Sequence, residues 1–131
     1  MYSDVRPGLG HYWREQSYNQ LYLQGSRAVG WFALPQPRAY YIYDRNGDGS
    51  PDADLDRLLN DCTAVADSAV NFPAYNGINL MFNADLDCCA WGGGRYLNRD
   101  GQSRFYSLTW EPPWGYDDIT VIGHEMGHAI A

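Results

Sequence analysis

Apolar residues recur at three- and four-residue spacing along one long stretch of the chain. Between residues 52 and 68, Leu55, Leu58, Leu59, Cys62, Val65 and Ala66, with Ala69 just beyond, fall on one face of a helix. Pro51 before it and the acidic first turn suit a helix N-terminus. A second apolar stretch, residues 119–131, follows Asp117 and Asp118, either of which can cap a helix. A short helix is expected at residues 11–20, where Tyr12, Trp13 and Gln16 offer one mixed face.

Elsewhere the pattern predicts strands. Residues 21–32 alternate loosely around a turn near Gly25-Ser26, residues 39–43 read AYYIY, and residues 104–110 read RFYSLTW. Residues 77–83 form a short, mostly apolar run expected to be a central strand. Trp91 and Gly92 to Gly94 open a flexible stretch that runs into Tyr96 and Leu97. The paired prolines in residues 111–116 argue against a helix there. This order of elements predicts a mixed α/β layout.

Composition narrows the function. A hydrophobic content of 45%, with five Trp and eleven Tyr, is ample for a packed core. The net charge of −7 argues against nucleic acid and anionic membrane surfaces as partners, since both would be repelled. No run of about 18 apolar residues exists to span a bilayer. Residues 1–10 have neither the basic start nor the apolar stretch of a signal peptide, so a secreted protein would have to carry its signal upstream. The cysteines, Cys62, Cys88 and Cys89, are three and contain no CxxC pair. They read as one disulfide joining Cys62 to Cys88 or Cys89, plus one free thiol. Adjacent Cys88 and Cys89 as thiolate metal ligands is the alternative, and no second pair supports it.

The chemistry concentrates in His124-Glu125-Met126-Gly127-His128. Helix positions i and i+4 share a face, so His124 and His128 can present both imidazoles to one zinc ion. Glu125 is displaced by one residue, which puts its carboxylate beside the ion, where it can accept a proton from water bound there. Gly127 costs the helix about 1 kcal/mol relative to Ala and suggests a close backbone neighbour. The spacing also arises by chance on ordinary surface helices. The flanking Ile119, Val121, Ile122, Ala129, Ile130 and Ala131 instead predict a buried helix, in which two histidines and a glutamate need a partner.

The run VIGHEMGHAIA, preceded by TWEPPWGYDD, resembles secreted bacterial zinc metallopeptidases of the metzincin clan, nearest to immune-inhibitor-A-like enzymes. PGLGHYWREQSYNQ, GINLMFNADL and WGGG also resemble their catalytic domains, so the likeness runs from about Pro7 to the end. It implies an α/β fold of the metzincin upper subdomain: a twisted mixed sheet, a long backing helix and an active-site helix. It also implies a secreted zinc endopeptidase acting on protein or peptide substrates, with His124 and His128 as ligands and Glu125 as base. The family's third histidine and methionine-containing turn lie further along than Ala131. Residues 1–131 are therefore expected to be a single partial domain, the N-terminal portion of a catalytic domain truncated within its active-site helix. In the family an extended substrate lies along an edge strand, for which residues 91–97 are the candidate, their glycines permitting close backbone approach. His11 reads as a helix-surface residue rather than a third ligand.

Asp44, Asn46, Asp48, Gly49 and Asp52 match positions 1, 3, 5, 6 and 9 of a calcium-binding loop. Position 12, which should be a bidentate Glu, is Leu55, leaving Asp54 or Asp56 to substitute. The competing reading is an Asx-rich turn that caps the following helix. If calcium binds, a second function opens: a non-catalytic, calcium-stabilised extracellular binding module with a vestigial HExxH.

Overall fold

Leu58, Leu59 and Ala66 line the buried side of helix α3, which runs Leu55–Ala66 in the computed structural model, a description of all 131 residues, Met1–Ala131. The helix starts three residues later than the N-terminal signals at Pro51 and Asp52 suggest. Asp52–Ala53 (β2) pairs antiparallel with Ile42–Tyr43 (β1), so those backbone groups are already committed to a ladder. Asp54 then takes the N-cap, its Oδ1 accepting from the Arg57 amide at 3.1 Å. At the other end, Asp67–Ala69 tightens into a 3-10 turn. Thr63 is buried within this face because its hydroxyl donates to the Leu59 carbonyl at 2.8 Å.

The principal sheet has three strands, Gly77–Met81 (β3), Trp91–Arg99 (β4) and Gln102–Glu111 (β5), in the order β3-β5-β4. Central β5 runs parallel to β3, with Gly77 opposite Ser107, and antiparallel to β4, with Trp91 opposite Trp110. Asp100 and Gly101 turn the β4–β5 hairpin with φ of 52° and 71°, the geometry an Asp-Gly pair favours. Tyr106, Leu108 and Trp110 alternate along β5 on the face covered by α3, and with Leu80, Leu97, Leu58 and Leu59 they form the main core. The glycine-rich stretch is thus an ordered edge strand.

Other expected elements differ as well. Helix α1 is Leu9–Gln16, ending early because Tyr18 and Asn19 take left-handed φ of 52° and 61°. Residues 21–32 form neither helix nor strand and are mostly exposed, so no partner satisfies their backbone as a sheet would. Residues 39–43 split into a single helical turn, Arg38–Tyr41 (α2), and the two-residue strand β1. Within residues 111–116, Pro113–Tyr116 forms a helical turn (α4), with Pro112 as N-cap and Pro113 in the first turn. Proline is excluded from a helix interior but suited to its first position, where no amide partner is needed.

The last helix, α5, spans Ile119–Ile130 and packs across β4 and β5 on the face opposite α3. Its Ile122 and Met126 join Leu9 of α1 in a second small core, with Tyr2, Trp13, Leu23, Tyr116 and Ile119 around them. No helix is long and apolar enough to cross a membrane. The architecture is mixed α/β.

Candidate metal centre

Asp118 sets the start of α5. Its Oδ1 accepts from the Thr120 amide at 2.8 Å and the Thr120 hydroxyl at 2.7 Å, and these bonds hold its carboxyl below the usual range. From that start, Ile122, Met126 and Ala129 fall on the buried side. His124 and His128 come two positions after Ile122 and Met126, about 200° further round, and both are exposed. Burial therefore does not oblige these histidines to find a partner, contrary to the expectation from their apolar neighbours. Their convergence is the stronger observation. The two Nε2 atoms lie 3.1 Å apart, with the rings at 80° to each other. Two imidazoles on one tetrahedral zinc, with Zn–N near 2.05 Å, place their nitrogens about 3.3 Å apart. The pair fits one ion with little movement.

Glu125 lies half-buried between them. Burial pushes its carboxyl above the ordinary value, and the neighbouring His124 and His128 pull it part of the way back. Its backbone meets the edge strand. A Cβ built on Gly92 would come within 2.7 Å of the Glu125 carbonyl carbon, so β4 passes directly against the helix at this point. Gly127, by contrast, faces only the Trp13 ring at 3.7 Å. The close approach inferred for Gly127 belongs to Gly92, and it serves helix–sheet packing.

Glu111 was not singled out from sequence. It ends β5 on the face beneath α5, is 0% exposed, and neither carboxylate oxygen has a hydrogen-bond partner. Burial first, and the Glu125 charge second, push its carboxyl up to about 7. Thr109 offers a partly opposing pull, but its hydroxyl is directed at Asn79 Oδ1 at 3.0 Å, and Asn79 Nδ2 donates to the Tyr2 hydroxyl. Thr109, Asn79, Tyr2 and Glu111 make a polar layer under α5. Alternation in SLTWE carried the signal: polar Ser107, Thr109 and Glu111 occupy the second face of a strand covered on both sides.

A cleft of about 510 Å³ opens beside the motif, lined by Cys88, Cys89, Ala90, Trp114, Thr120, Val121, His124 and Glu125. Cys88 and Cys89 are joined to each other by a disulfide. The expected bridge from Cys62 is corrected: Cys62 is free and packs against the main core on α3, on the far face of the sheet. Burial pushes its thiol up to about 12. The Asp87 carboxylate anchors the turn, accepting from the Cys89 amide, the Trp91 indole and the Ala53 amide at 3.0–3.1 Å. Asp87, Cys88 and Cys89 are the one group of three metal-type donors gathered within 4.8 Å. With the sulfurs bonded together and the carboxylate committed to three donors, it is no cation cage. No third donor joins His124 and His128. His11 is engaged by Arg6 and lies 3.3 Å from Glu15, as a helix-surface residue would.

In the acidic loop the side chains fold back on their own backbone. Asp44 accepts from the Gly47 and Gly49 amides at 2.6 and 2.9 Å, Asn46 from Asp48 at 2.9 Å, and Asp48 from Ser50 at 2.8 Å. Asp52 accepts from the Arg45 amide at 3.3 Å. Asp44, Asp48 and Asp52 do not bring three oxygens within 4.8 Å of one another. Asp54 caps α3 and Asp56 pairs with Arg95 at 2.9 Å. Comparison with family models, curated proteins and solved structures gives no match to this chain.

Proposed function

We propose that this chain belongs to the catalytic domain of a zinc-dependent endopeptidase, of the metzincin kind its motifs resemble. One observation carries the reading: His124 Nε2 and His128 Nε2 converge to 3.1 Å on a helix whose Glu125 opens on the same cleft. A bound zinc supplies Lewis acidity toward the scissile carbonyl and lowers the pKa of a water to about 7. His124 and His128 are the residues that would hold it.

Glu125 acts as the general base. Its raised carboxyl sits closer to neutral pH than an exposed glutamate, which suits it to take a proton from the attacking water and return it to the leaving amine. The unpaired edge of β4 runs beside the cleft and offers peptide groups to an extended substrate, as in β-strand addition. The protein or peptide substrate, the secreted location and the zinc dependence all belong to this reading. Casein hydrolysis by the full-length protein tests it: activity that a chelator removes and zinc restores supports it, and chelator-resistant hydrolysis or none rejects it.

A further inference from the structure

The disulfide-bonded residues Cys88 and Cys89 line the cleft that holds His124 and Glu125, and Cys88 is exposed. From this we propose that the disulfide is a redox gate on the metal site, an inference that rests on the zinc-peptidase reading. The turn that carries it is held independently of the S–S bond. Asp87 ties it to Cys89, to the Trp91 indole of β4 and to Ala53 of β2. Opening the bond therefore frees two side chains at the rim without releasing the turn. The other cysteine, Cys62, lies in the main core on the opposite face of the sheet and takes no part.

A small monothiol carries out the opening in two exchanges. Its thiolate attacks one sulfur, breaking the S–S bond and forming a mixed disulfide. A second thiol then attacks that mixed disulfide, releasing the oxidised reductant. Two electrons and two protons end on Cys88 and Cys89, and two reductant thiols become one disulfide. Closed, the pair is a compact apolar wall. Open, it offers two free thiols at the rim of the cleft, and thiolate is a preferred zinc ligand. The freed sulfurs compete for the coordination that the reaction needs, so the reduced protein holds zinc more tightly and works more slowly.

The test uses the full-length protein, oxidised or reduced with a phosphine that is then removed without air. Alkylation and peptide mapping confirm that Cys88 and Cys89 are open. Reduction is expected to lower casein hydrolysis about tenfold or more and tighten the zinc Kd about tenfold, both reversing on reoxidation. Cys88→Ser and Cys89→Ser each leave one thiol and should behave as the reduced protein under either condition. The double Cys88→Ser/Cys89→Ser variant, compared with itself, should not respond to the phosphine. Unchanged zinc affinity and activity on reduction overturn the gate while leaving the peptidase reading intact. Equal inhibition of the double variant also overturns it. An oxidised protein that neither binds zinc nor shows chelator-sensitive hydrolysis rejects the peptidase reading, and the gate with it.

Discussion

Gly92 of β4 lies against the backbone of Glu125, so close that a Cβ at position 92 would meet the Glu125 carbonyl carbon at 2.7 Å. The obstacle is backbone on both sides, and no side-chain rotation relieves it. Gly92→Ala should therefore push α5 off the sheet and cost about 1–3 kcal/mol of stability, in the range of overpacked cores. Gly93→Ala is the control, because its added Cβ meets only the flexible Arg95 guanidinium at 3.6 Å. Thermal melts compare the two. Equal, small losses would mean that the helix is not seated on Gly92.

Glu111 predicts a pH dependence of stability. Its carboxyl is raised from 4.5 to about 7 in the folded protein. The unfolded chain releases this proton above pH 4.5, while the folded chain keeps it until about pH 7. The stabilisation is thus complete below pH 4.5 and is lost as pH rises to 7, after which it stays lost. The full span corresponds to roughly 3 kcal/mol. Glu111→Leu should flatten the melting temperature across that window and raise it at pH 8. Parallel profiles for the two proteins would place the proton elsewhere.

For the base, Glu125→Gln in the full-length protein should retain zinc and lose about 10²–10⁴ in peptidase rate, because the ligands remain while proton transfer does not. Metal content and kcat are measured on the same preparation. A variant within threefold of its parent, a factor below about 1 kcal/mol, would remove Glu125 from the reaction.

The acidic loop should behave as a turn. Asp44 accepts from two amides, Gly47 and Gly49, and these bonds hold its carboxyl below the ordinary range. Asp44→Ala should lower the melting temperature by the same amount with and without millimolar calcium. A calcium-dependent rise in the parent that Asp48→Ala erases would instead restore the ion to this loop.

Much of this architecture is local, and local pattern was readable. The apolar spacing of Leu58, Leu59 and Ala66 depends only on the helical period, and so does the sharing of one face by His124 and His128. Asp118 caps α5 through a bond to a residue two positions away. The strands at Gly77–Met81 and Gln102–Glu111 were legible from short runs of the right residues. What the pattern could not carry was decided by neighbours distant in sequence. The β1–β2 ladder delayed the start of α3, because backbone pairing with residues ten places away outweighed the N-terminal signals at Pro51 and Asp52. Cys62 and the Cys88–Cys89 pair were separated by the sheet itself, so the two nearest sulfurs joined each other. Glu111 acquired its burial, and Gly92 its necessity, only when α5 settled across β4 and β5. The face that α5 turned to the sheet left its histidines open to the cleft. Sequence determines which residues a helix can place side by side; only packing decides what covers them, since burial is the sum of contacts made by every other part of the chain.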